Sequence, residues 1–483
     1  MSKSLDKKLL KGLFWSFLER FSTQGIQFVF SIIMARLLLP AEFGLIAMLS
    51  IFMAFSHAFI NSGFGQALIQ KKKATYIDEC SIFYFNIFIA FIMAGLMFVS
   101  APWIAKFYNQ PLLVSMARVL SFSLIINSFG LVQRALLTKN LDFKTQLKIS
   151  VITILLSGAV GIFLAFKGFG VWSLVILYIS KDLLSTILIW IFSSWRPSII
   201  LSFTSLRSMF SFGSHLLLVS LLNSVFANIY QLVIGKLFSP ALLGFYSRAD
   251  SLYKYPISII NDVSNSVTFP TFSILQDDID KLCRYARKTS KTLTVITFPL
   301  MFGLVIVARP LVHSLLTEKW ISIVPYLQLL CVIGLINPLQ RINYNIINAL
   351  GRSDLFSKIE IADKVLVITS IAVSFRFGII AMIYGQILCS LISYSINGYY
   401  TGKLLNHSLY SQIKDIAPNF FISFLMGLLI YSVKYLSIDN HLLLLTTQII
   451  LGGISYVSFC FIFKISAFME IIGIANGFRL SKQ

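Results

Sequence analysis

The chain has 483 residues, 57% hydrophobic and only 12% charged, with a mean hydropathy of +0.83. Soluble domains carry about a quarter charged residues, so this composition excludes a disordered chain and a soluble multidomain enzyme and leaves an all-α polytopic membrane protein. The net charge of +21 reads as the Lys and Arg excess that such proteins place on cytoplasmic loops, and nucleic acid is not an expected partner.

Runs of about 20 apolar residues predict roughly fourteen membrane spans. In chain order they cover 12–37, 43–68, 80–104, 112–137, 146–166, 170–193, 209–235, 241–270, 291–316, 322–350, 359–376, 379–401, 417–436 and 443–464. The first follows a basic start, Met1 to Lys11; it is too long for a signal-peptide core and lacks a small-residue cleavage site. The runs are continuous, which excludes the short alternating strands of a membrane barrel. With the N-terminus in the cytoplasm, the inner segments collect Lys3, Lys7, Lys8 and Lys11, then Lys71, Lys72 and Lys73, and later Arg284, Arg287, Lys288, Lys291, Arg479 and Lys482. The basic bias toward that side is about threefold, which predicts both termini in the cytoplasm.

All connecting loops are short, so none houses a soluble catalytic domain. Residues 277–291 read as an amphipathic helix lying on anionic headgroups. The five cysteines, Cys80, Cys283, Cys331, Cys389 and Cys460, form no CxxC and have no His at metal spacing. They predict neither a disulfide frame nor a metal site, and no cofactor is expected.

The chain repeats itself at an offset of 200 residues. Arg36-Leu37-Leu38-Leu39-Pro40-Ala41-Glu42-Phe43-Gly44-Leu45 aligns with Lys236-Leu237-Phe238-Ser239-Pro240-Ala241-Leu242-Leu243-Gly244-Phe245, keeping the base, Leu, Pro, Ala and Gly in register. Pro ends one helix and shapes the turn; Gly allows close approach. Further on, Ala101-Pro102 answers Arg309-Pro310 and Gln133-Arg134 answers Gln340-Arg341. This predicts two parallel six-helix lobes around a central cavity, with two extra C-terminal helices, a transporter architecture. The expected divisions are an N-lobe at 1–193, a cytoplasmic linker at 194–208, a C-lobe at 209–401, and helices 13 and 14 with a cytoplasmic tail at 402–483.

Polar residues recur at helical spacing in several spans. Span 1 carries Ser16, Arg20, Thr23, Gln24, Gln27 and Ser31; span 7 carries Ser220, Asn223, Ser224, Asn228 and Gln231; span 8 carries Lys254, Ser258, Asn261, Asp262 and Asn265. His57 and Asn61 make a weaker stripe in span 2. Such faces avoid lipid, and either line water or bond to neighbouring helices. Ionisable side chains at membrane depth are Glu19, Arg20, Arg118, Arg134, Lys181, Asp182, Arg248, Asp250, Lys254, Asp262, Arg341, Glu360, Asp363 and Lys364, and each needs a partner or water. Lys181-Asp182, Glu360 and Asp363-Lys364 read equally well as local structural pairs. The candidate substrate-binding residues are Arg20, Gln24, Gln27, Arg118, Asn223, Asn228, Arg248, Lys254 and Asn261, cations and amides suited to an anionic, polar substrate. Glu19 and Asp262 are candidate ion-coupling carboxylates.

Gly12-Leu13-Phe14-Trp15-Ser16 followed by Ala35 to Leu45, and Leu243-Gly244-Phe245-Tyr246-Ser247-Arg248-Ala249-Asp250 with Pro256 and Phe269-Pro270, resemble polysaccharide transporters. The resemblance is to the colanic-acid-exporter branch of the Wzx-type flippases in the multidrug/oligosaccharidyl-lipid/polysaccharide (MOP) superfamily, and it covers nearly the whole chain. It implies a substrate, an undecaprenyl-pyrophosphate-linked oligosaccharide, moved from the cytoplasmic to the periplasmic leaflet by alternating access. It makes a polysaccharide polymerase and a chain-length regulator candidate partners. In this picture Arg20, Arg248 and Lys254 hold the pyrophosphate. Two other readings compete. A drug/cation antiporter of the same superfamily would favour acidic cavity residues. A membrane polymerase or ligase would need a sizeable outer loop for glycosyl transfer.

Overall fold

The computed structural model describes residues 2–61, 64–71, 74–436 and 439–480. Lys72, Lys73 and Lys482 of the basic segments lie outside the described residues, as do the side chains of Lys3, Lys7, Lys8, Lys11, Gly12, Leu13, Phe14 and Arg479. The helices in chain order are α1 Ser2–Leu37, α2 Pro40–Asn61, α3 Phe64–Gln70, α4 Tyr76–Tyr108, α5 Leu112–Ser128, α6 Leu131–Lys139, α7 Phe143–Phe166, α8 Val171–Phe192, α9 Phe203–Leu237, α10 Pro240–Ile274, α11 Ile279–Leu315, α12 Val324–Ala349, α13 Ser353–Ser374, α14 Ile379–Leu404, α15 Leu409–Ser432, α16 His441–Ile462 and α17 Ser466–Leu480. No strand occurs among the described residues.

Among the described residues, ten segments are helical, long and apolar enough to cross a membrane, or eleven if α5 and α6, bent by 42° where they meet, make one span. This is fewer than the fourteen expected. Helices α1, α10 and α13 occupy the other three positions, but they carry too many polar and charged side chains to qualify: Glu19, Arg20, Gln24 and Gln27 in α1, Arg248, Asp250, Lys254 and Asp262 in α10, and Glu360, Asp363 and Lys364 in α13. The helices that fail on apolarity are therefore the ones that hold most of the candidate site. Elsewhere, large apolar side chains such as Phe88, Phe91, Val99 and Trp103 of α4 point outward. Such a surface is stable only against lipid, and the chain is a multi-pass membrane protein.

The order of elements repeats as the sequence does. Helix α1 ends at Leu37 and α9 at Leu237; α2 starts at Pro40 and α10 at Pro240; α4 and α11 each carry a proline near their ends, Pro102 and Pro310. The two repeat turns cap their helices differently. The Leu39 N–H donates to Glu42 Oε2 at 2.6 Å. In the second turn Leu replaces Glu at 242, and Ser239 Oγ accepts the Leu242 N–H at 3.4 Å instead. Both satisfy an orphan first-turn donor. The glycines explain the rest of the motif. A Cβ on Gly44 would overlap the Pro240 carbonyl, and one on Gly244 would overlap the Pro40 carbonyl. Helices α2 and α10 thus cross reciprocally at their first turns, and each glycine makes room for the other repeat's proline.

The chain forms two compact units, Met1–Ser247 and Arg248–Gln483. In the first, α7 packs between α1 and α8, α4 on α5, and α2 on α9. Gly158 of α7 lies against the Phe30 ring of α1, and Gly161 against Leu177 of α8, small residues that let helix backbones approach. At one end Thr75 and Asp78 form a capping box for α4. Asp78 also holds Lys71 at 2.7 Å, and Lys139 Nζ donates to the Leu68 and Lys71 carbonyls at 3.0 Å, closing the C-terminus of α3. Phe83 sits among Tyr84, Phe129, Trp190 and Trp195.

In the second unit α11 is central, contacting α12, α15, α16 and α17. Asn419 Nδ2 of α15 donates to Lys291 O and Thr294 Oγ1, and Tyr456 of α16 donates to Val295 O at 2.7 Å. The two helices outside the repeat are thus seated on α11. The expected surface helix at 277–291 is instead continuous with the span that follows, as the first turns of α11. Helix α17 replaces part of the expected tail; Gly473 and Gly477 weaken its helical signature in the sequence.

Candidate functional site

The first unit gathers ionisable groups from several helices. On α8, Asp182 accepts from Asn127 Nδ2 of α5 at 3.4 Å, and Asp182 and Lys181 are the charges that act on His57 of α2. Arg134 of α6 donates to Ser185 Oγ of α8 at 2.8 Å, and Asp182 and Glu19 are the carboxylates that balance it. Glu19 in turn accepts from Ser150 Oγ of α7 at 3.0 Å. The cluster therefore places two carboxylates within electrostatic reach of an arginine and a lysine. Opposite charges so placed lower the cost of holding each at membrane depth.

The other candidates of this unit are more dispersed. Arg20 is exposed, and Gln24 and Gln27 are half-buried on the same helix. Arg118 lies over the Phe98 ring, 4.9 Å from its centroid, with its Nε buried and without a hydrogen-bond partner. On α9, Asn223 is exposed, whereas Asn228 Nδ2 donates to Ser224 O at 2.8 Å. Ser50 of α2 donates to Gln231 Oε1 at 2.9 Å and reaches Asn228 Oδ1 at 3.5 Å. The α9 stripe bonds to α2 at Asn228 and Gln231, while Ser224 Oγ donates to Ser220 O of its own helix at 2.8 Å.

The second unit holds the strongest candidate group. Arg248 and Asp250 of α10 are each 5% exposed. Lys254 Nζ bonds Asp250 Oδ2 at 2.6 Å, one turn along, with the lysine side chain 50% exposed and the aspartate 7%. The buried carboxylate fixes the direction of a cation whose other side remains accessible. Asp262 is half-buried on the same helix. The amides behave otherwise. Asn261 Nδ2 donates to Asn337 Oδ1 of α12 at 2.9 Å, and Asn345 Nδ2 of α12 donates to Asn265 Oδ1 and Thr268 Oγ1 at 3.0 and 2.7 Å. These bonds tie α10 to α12, the structural use of polar residues in membrane bundles. Asn127, Asn337 and Asn345 were not singled out in the sequence; an Asn inside an apolar run is the signal that marks them. Asp363, which the sequence pairs with Lys364, accepts the Tyr344 and Ser393 hydroxyls, and Lys364 reaches Glu360 at 3.7 Å, one turn back.

Residues 33–325 match the polysaccharide biosynthesis protein family. The chain belongs to that family. Members similar to it include the teichuronic acid biosynthesis protein TuaB of Bacillus subtilis (strain 168), 26% identical over 89% of this chain and 90% of that protein. The lipopolysaccharide biosynthesis protein WzxC of Escherichia coli (strain K12) is 25% identical over 85% and 84%. The fold is that of a solved lipid II flippase MurJ in an inward closed conformation, with TM-score 0.76 at 14% identity over 94% of this chain and 98% of that one. It also matches an inward-facing MATE transporter of the MOP superfamily, with TM-score 0.58 at 15% identity over 82% and 99%. The chain thus has the fold shared by these MurJ and MATE structures.

Proposed function

We propose that this protein is a flippase that moves undecaprenyl-pyrophosphate-linked oligosaccharide repeat units from the cytoplasmic to the periplasmic leaflet of a bacterial inner membrane, by alternating access, with both termini in the cytoplasm. The observation that carries this reading is a family of polysaccharide biosynthesis proteins on a transporter fold with cations at membrane depth: Arg248 and Lys254 on α10, Arg20 on α1 and Arg118 on α5. A pyrophosphate entering hydrocarbon needs such cations, and a glycan needs the amides and hydroxyls of α1 and α9. Glu19 and Asp262 are the candidate carboxylates for coupling to an ion. The layout of two six-helix lobes and two added helices, and the polymerase and chain-length regulator as partners, belong to the same proposal.

The test is mass spectrometry of lipid-linked sugars after depleting the protein in its native host, with a polymerase-depleted strain as control. Accumulation of an intact undecaprenyl-pyrophosphate repeat unit, inaccessible from the periplasmic side, is the expected result and names the sugar. Unchanged surface polysaccharide with no accumulation overturns the proposal.

A further inference from the structure

At one end of α11, four basic residues at one-turn spacing, Arg284, Arg287, Lys288 and Lys291, share a face. With Ser466, Ala467 and Glu470 of α17 they line a cavity of about 210 Å³. Like charges at this spacing repel, so the cluster is stable only with anions nearby. The protein supplies some. Asp415 of α15 takes Arg287 through two bonds at 2.7 and 2.9 Å and Lys291 at 3.1 Å. Glu470 takes Lys288 at 2.6 Å. Two carboxylates thus serve three cations, and Arg284 has no ion pair among the described residues. Ser466 and Ala467 of the first turn of α17 line the cavity, so the positive end of that helix dipole adds to the field. No acidic residue stands in that first turn.

Depth indicates what the anion is attached to. Helix α11 has 37 residues, about 55 Å at 1.5 Å per residue, against about 30 Å of hydrocarbon. Between Lys291 and Arg309, near its other end, the helix carries no charged residue. The basic turns therefore project beyond the hydrocarbon at headgroup level, with Tyr285 exposed beside them as interfacial aromatics are.

We infer that this cavity is a phosphate-binding site, filled by the phosphodiester of an anionic phospholipid, with Arg284 and Lys288 as its principal ligands. The site stands apart from the flippase proposal, since none of its residues is among the transport candidates.

The full-length protein in neutral detergent would be examined by native mass spectrometry with phosphatidylglycerol and with phosphatidylcholine. In parallel its melting temperature would be followed in inorganic phosphate against chloride. Retention of phosphatidylglycerol that falls about tenfold or more in R284Q/K288Q, and holds in the charge control K281Q, is the expected result. A phosphate-induced rise in melting temperature that disappears in R284Q/K288Q, with lipid retention unchanged, would keep the phosphate site and assign its occupant to free anion. Equal behaviour of wild type and variant in both arms overturns the site. If the double variant does not fold, R284Q alone reports, because Arg284 is exposed and breaks no ion pair.

Discussion

Lys254 has a structural partner and, in the proposed function, a substrate to hold. Its partner Asp250 is buried, yet its own side chain is half exposed, so solvent screens the pair. K254M should cost about 1 kcal/mol of stability, nearer a surface pair than the roughly 3–5 kcal/mol of breaking a fully buried one. If Lys254 binds pyrophosphate, transport should fall far more than stability, about tenfold or more in export of lipid-linked sugar. A thermal melt beside an export assay separates the two effects. Arg20→Ala and Arg248→Ala should each cripple export, and for Arg20, which is exposed, protein level should not change. Wild-type export in both would remove these residues from the site. Asn261 is predicted to behave in the opposite way. Its bond to Asn337 joins two helices, so N261L should lower the melting temperature by an amount corresponding to about 0.6–2 kcal/mol, and N337L should add little to it in a double-mutant cycle.

Among the elements, the crossing of α2 and α10 is the most constrained. Gly44 and Gly244 each face backbone of the other repeat's first turn, which cannot rotate away as a side chain can. Gly44→Ala and Gly244→Ala should each destabilise by about 1–3 kcal/mol or force the helices apart. The reading is loss of monodisperse protein on size exclusion. Gly25→Ala, where a Cβ meets nothing within 4 Å, is the control and should be neutral or slightly stabilising in its helix. Helix α11 carries a different lesson. The sequence divides its length because charges crowd the stretch up to Lys291 and residues 292–308 carry none. Helical continuity depends on backbone bonds, which are indifferent to that change of polarity.

For the whole molecule, the proposed orientation rests on the basic bias. In a Cys283→Ser background, whose other cysteines are buried, a cysteine at Lys281 should label with an impermeant maleimide only from the cytoplasm, and one at Lys319 only from the periplasm. The reverse pattern would invert the proposed direction of transport. These positions bracket α11, so a single helix reports the topology.

Composition and periodicity carry the membrane class, the positions of the helices and the repeat at 200 residues, because hydrocarbon thickness and the cost of bare backbone in lipid act on every residue alike. The Pro-Ala-x-x-Gly turn was legible as a repeat, and its sequence spacing placed α1 and α9 at equivalent positions. The roles of particular polar side chains were not legible. Arg134 and Glu19 are 115 positions apart and α10 meets α12 through Asn261 and Asn337; nothing local in a sequence says which of several polar residues on a helix turns toward a neighbour. Only the packed structure decided that Asn261 ties helices while Lys254 stays half open, and that Arg284, Arg287, Lys288 and Lys291 meet α15 and α17. Burial and pairing are properties of contacts between distant segments, and those contacts exist only once the helices have chosen their neighbours.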